Sequence, residues 1–87
     1  MTIDENKLIR QRSKGAKAEH LWDTTLQEIF TEMEEDIRNG WKNSLADEQG
    51  RREEIYHFMR ALEDLKQRLK TRIATGKYAA KQLEKPK

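Results

Sequence analysis

Glu54 and His57 stand three residues apart in the stretch Glu54-Ile55-Tyr56-His57. That is the Glu-x-x-His spacing by which di-metal helix bundles present two ligands from one helix. A complete site of that kind also needs carboxylates from a facing helix, for which Glu28, Glu32 and Glu35 are at hand. The helical period argues against it. Ile55 and Phe58 are the apolar, inward positions, so Glu54 and His57 fall about 100° and about 160° from Ile55, on the flank and outer side. No metal site and no cofactor is expected. Cysteine is absent, which excludes disulfides and thiolate ligands. Ser13 and Ser44 sit in no nucleophile-elbow motif, and no P-loop, dinucleotide fingerprint or EF-hand loop occurs. The expectation is a chain with no catalytic residues, no enzymatic activity and no small-molecule substrate.

The basic residues raise a second chemistry, the binding of phosphate. Arg10, Arg12, Lys14 and Lys17 lie within eight residues that contain no acid, and Arg68 and Arg72 are four apart on a helical pattern. These six are the candidate nucleic-acid contacts. Charge is uneven along the chain: residues 1–18 carry +3, residues 19–54 carry −7 and residues 55–87 carry +6. The simpler expectation is that the acidic middle and the basic end fold side by side and neutralise each other. The alternative is a functional basic surface.

The elements that must position these residues are helical. Charged residues make up 39% of the chain against 34% apolar, with one proline and four glycines, as in helix-rich proteins. No run approaches the ~18 apolar residues of a membrane span, and the first residues have no apolar signal-peptide core. The chain has room for one small domain, residues 1–87, whose residues 1–20 read as a basic, partly mobile arm with a short helix near 5–20. Asp23, Thr24 and Thr25 look like a helix start, with Thr24–Gln27 or Thr25–Glu28 as a capping box. Leu26, Ile29, Phe30, Met33 and Ile37 then share a face, and Asn39 and Gly40 are stop residues, which predicts a helix over 24–40. Residues 40–50 read as the connection, with Ser44 or Asp47 as the next cap and Trp41 and Leu45 plugging the open end. Ile55, Leu62 and Leu69 occupy one heptad position, Phe58 and Leu65 the other, and Met59 and Ile73 widen the stripe. This predicts a second helix over 48–75 ending at Gly76, then a turn or short helix with Tyr78, Ala79 and Leu83 inward, closed by Pro86.

The fold class expected is all-α: an antiparallel helical hairpin with a short N-terminal helix and a C-terminal turn or short helix, and oligomeric. Two helices share one interface, and Trp22, Phe30, Trp41, Tyr56 and Met59 widen the apolar arcs beyond what one partner helix covers. They are the candidate protein-interface residues. A chain this short without disulfide or metal commonly draws its remaining stability from a partner subunit.

The segments AKAEHL, LQEIFxxME, GWKNS, GRREEI, LKxxL and TGKYAAKQL, in that order, resemble a group of small helical proteins of tailed bacteriophages and prophages, encoded near packaging and virion-structure genes. The resemblance spans residues 13–84. Its distinctive points are Phe30 with Glu34, Trp41, Arg52-Glu53 and Gly76-Lys77-x-Ala79. It implies a non-enzymatic virion component or assembly factor, working in the host bacterial cytoplasm or the virion through contacts with itself or a larger phage protein. A packaging or regulatory accessory that binds nucleic acid is the alternative.

Overall fold

The computed structural model describes residues 3–85. Helix α1 (Ile3–Leu21) runs through a π-helical turn (Trp22–Leu26) into α2 (Gln27–Asn43). A loop of residues 44–48 follows, and α3 (Gln49–Glu84) returns alongside. All described residues outside the loop are helical up to Glu84. The molecule is therefore an all-α antiparallel hairpin, as the apolar spacing predicts. Pro86 lies outside the described residues.

Several boundaries differ from expectation, each for a physical reason. Asp23-Thr24-Thr25 is not a helix start but the widened turn inside a continuous helix. The Gln27 backbone N–H donates to the Trp22 carbonyl, five residues back. The Thr24 hydroxyl donates to the His20 carbonyl at 2.7 Å, and the Thr31 hydroxyl to the Gln27 carbonyl at 2.9 Å. Cap-type side chains thus bond backward to carbonyls within the helix, a pattern that bends helices rather than beginning them. Asn39 and Gly40 do not stop α2, since no glycine here takes a positive φ and Gly40 stays helical. The loop is shorter than the expected ten residues and α3 has no side-chain N-cap bond. Instead the Glu48 carboxylate accepts from the Leu45 N–H at 3.0 Å.

Gly76 does not end the second helix. It is buried within α3, against Gly15 of α1. A Cβ added to Gly15 would lie 2.6 Å from the Gly76 Cα and 2.9 Å from the Arg72 carbonyl oxygen. One added to Gly76 would lie 2.7 Å from the Gly15 Cα. Only glycine permits this approach. Ala18 and Ala79, each three residues beyond a seam glycine, are buried as well. Residues 3–21 are thereby a packed helix along α3.

The hairpin is a ribbon. Its extents are 63 × 23 × 14 Å and its radius of gyration is 18.5 Å, against about 12 Å for a compact chain of this length. Fourteen ångströms is little more than one helix diameter, so both flat faces of the hairpin meet solvent. Phe30 and Leu62, 4% and 7% exposed, are the large residues of the core, and no large side chain among the described residues is fully buried.

Candidate functional site

The hairpin decides which residues meet. Folding about residues 44–48 lays α1 along the C-terminal half of α3 and α2 along its N-terminal half. The basic N-terminal segment therefore lies beside the basic end, and the expected neutralisation is confined to pairs such as Lys66–Glu34 and Lys77–Glu19. Residues 3–21 and 66–85 together carry twelve bases and four acids, a surplus of +8. Residues 22–65 carry five bases and twelve acids, a surplus of −7. The molecule is a charged rod with a basic seam half and an acidic loop half.

In the loop half, α2 and α3 stand apart around an apolar groove of about 680 Å³ lined by Ile37, Trp41, Ile55, Tyr56, Met59 and Leu62 among others. Trp41 and Tyr56 remain about half exposed there. Leu45 is exposed too and does not plug the end of the hairpin. Arg52 organises the loop instead. Its Nε donates to Ser44 Oγ at 2.9 Å, its Nη2 to the Ser44 carbonyl at 3.3 Å, and its guanidinium lies 5.0 Å from the Trp41 ring centroid. Ser44 is buried by this arrangement, and its hydroxyl donates onward to the Trp41 carbonyl at 2.6 Å.

The five candidate interface residues separate. Phe30 is core. Trp22, turned inward by the π turn, is half-buried, with its ring centroid 5.4 Å from that of Phe30 and the Lys66 ammonium 5.8 Å from its centroid. Trp41, Tyr56 and Met59 converge on the groove. Phe58 and Leu65, assigned by the heptad to the seam, are about half exposed. Leu65 is nine residues from Tyr56, about 180° around α3, so both flanks of the loop half present apolar side chains. Tyr78, expected inward, is exposed, while Ala79 is wholly buried and Leu83 half-buried.

In the seam half, Lys14, Arg68 and Arg72 line a second groove, of about 320 Å³. Arg10, Arg12 and Lys17 are exposed on α1 outside it. Glu54 and His57 are both exposed and bring no metal cluster together: among the described residues no group of three His, Asp or Glu side chains is placed to hold an ion. His57 lies beside Glu53, 4.0 Å away, on the outer surface. No described helix is long and apolar enough to cross a membrane.

Sequence reasoning missed the Gly15–Gly76 seam and the Arg52–Ser44–Trp41 cluster. The signal for the seam was present. A chain folded about residue 46 sets residue i opposite roughly residue 92 − i, which pairs Gly15 with the neighbourhood of Gly76.

Comparison with known proteins finds no match: no family model, no curated protein and no solved structure.

Proposed function

We propose that this chain is a non-enzymatic structural or assembly protein that acts by packing the apolar loop half of its hairpin against another copy of itself. The observation that carries this reading is the surface left uncovered. The chain exposes 7119 Å², whereas a compact monomer of 10.4 kDa exposes about 5,400 Å². The difference, about 1,700 Å² for each chain, is about twice what one partner gives up in a standard contact, and two copies covering it would together bury about 3,400 Å², within the range of obligate homodimers. It includes Phe58 and Leu65 together with Trp41 and Tyr56, the last two of residue types that anchor interfaces when buried.

Two copies related by a two-fold axis at the loop half set groove against groove and leave the basic seam halves outside the contact. The resemblance to small phage proteins supplies the setting, a virion or its assembly in the host cytoplasm. A larger virion protein is the other occupant that would suit the groove.

Sedimentation equilibrium tests this. The full chain at about 100 µM should show a mass of at least two protomers, and Tyr56→Glu with Met59→Glu should shift it to monomer while helicity persists. A strict monomer for the unsubstituted chain at that concentration contradicts self-association.

A further inference from the structure

The basic half carries a surface that the assembly reading does not use. On one flank, bases that reach across the hairpin have acidic partners: the Lys66 ammonium is 2.9 Å from Glu34 and the Lys77 ammonium 3.0 Å from Glu19. On the flank of the second groove the pattern changes. Lys14 and Arg72 have no carboxylate partner among the described residues, and Arg68 holds only Asp64 of its own helix, at 3.0 Å. No acid lines this groove. Its remaining lining is amide and hydroxyl, with Gln11, Thr71 and Thr75 among them.

The stripe extends along α1. Lys7, Arg10, Lys14 and Lys17 are spaced three, four and three residues apart, which keeps them within an arc of about 80° over about 15 Å of helix. Arg12 falls on the other side. The glycine seam is what sets this stripe beside Arg68 and Arg72, because it draws the two helix backbones into contact.

We propose that this flank is a binding site for the phosphate backbone of double-stranded nucleic acid. The Arg72 guanidinium and the Lys14 ammonium, with no carboxylate partner among the described residues and with neutral donors beside them, suit phosphate oxygens. A stripe about 15 Å long exceeds what a single small anion occupies and suits a repeating one. No aromatic side chain lines the groove, so it offers no platform for unstacked bases. Binding is therefore to the duplex backbone and carries no sequence preference.

Fluorescence anisotropy with a mixed-sequence duplex of about 20 base pairs, titrated with the full chain from about 50 to about 200 mM salt, tests it. The logarithm of affinity should fall linearly with the logarithm of salt, with a slope of about −0.9 for each phosphate contacted. Lys14→Glu with Arg72→Glu should weaken binding at least tenfold and flatten the slope by about two contacts' worth. Lys70→Glu with Lys81→Glu changes the net charge equally but lies about 160–180° from Arg72 around α3, and should weaken binding far less. Circular dichroism checks that each variant keeps its helicity. If the groove reversal unfolds, Lys14→Gln with Arg72→Gln serves in its place, and should still weaken binding more than the control pair. Absence of binding by the unsubstituted chain at 50 mM salt overturns the proposal. So does an equal loss from the groove and control pairs.

Discussion

The two halves of this hairpin use opposite means to hold two helices together. In the seam half, Gly15, Ala18, Gly76 and Ala79 remove side-chain bulk, and the backbones touch. In the loop half, large residues keep α2 and α3 apart around a groove. Small residues give contact without much apolar area, and large ones give area without closure. A two-helix ribbon cannot have both along one edge. The half rich in large residues is therefore the half that leaves large apolar side chains exposed.

Substitutions can break that contrast from either side. The largest effect belongs to the one large aromatic that is truly inside. Phe30→Ala removes a side chain 4% exposed and packed at a tilt against Trp22, and should cost about 3–5 kcal/mol in chemical denaturation. Leu65→Ala, at a site 50% exposed, should cost well under half of that at concentrations where the chain is monomeric. Equal losses would mean that the hairpin does not bury its two flanks so unequally.

Gly76→Val is next. Its Cβ alone would sit 2.7 Å from the Gly15 Cα, so the helices must separate. Overpacking of this kind costs about 1–3 kcal/mol, a fall in Tm of roughly 10 °C for a domain of this size. Gly40→Ala is the counterpart in the loop half. Its Cβ would meet only the Ile55 side chain, with Cδ1 at 3.4 Å and Cγ1 at 4.0 Å, and replacing a glycine in the last turn of α2 should stabilise by about 0.4–1 kcal/mol. Opposite signs at the two glycines are the expected outcome of thermal melts, and the same sign would remove the distinction between seam and groove.

Arg52→Ala should cost about 1–3 kcal/mol, because it strips the buried Ser44 of a partner and uncovers Trp41. Its Trp fluorescence should shift to the red. The smallest effect belongs to Lys66→Ala, whose contacts with Glu34 and Trp22 are partly exposed, at under about 1 kcal/mol. That loss should shrink further as salt is raised.

The helical hairpin was legible from spacing alone, and the inward line Ile55, Leu62, Leu69 and Ile73 is buried or half-buried as the period requires. The other heptad position, Phe58 and Leu65, was legible as apolar but not as exposed. A heptad implies a partner along both edges, and this chain supplies one. The seam half was the least legible. Its contacts rest on glycine and alanine, which leave almost no hydrophobic periodicity, so α1 reads as weakly patterned. Gly76 looks like a stop in sequence because a glycine's local preference says nothing of a residue sixty-one positions earlier. Asp23-Thr24-Thr25 misled for a related reason: the same hydroxyls serve a cap and a widened turn. For the candidate sites, the bases were visible in sequence, but the pairing of Lys14 with Arg68 and Arg72 in one groove depends on where the chain folds back.

Hydrogen exchange followed as a function of protein concentration tests most directly whether the loop half is the surface another copy covers. Amides of residues 34–42 and 55–66 should become slower as concentration rises through the micromolar range, while those of residues 11–19 and 72–80 should be protected to the same degree throughout. Protection that is independent of concentration along the whole chain, or that rises only in the seam half, would contradict the account.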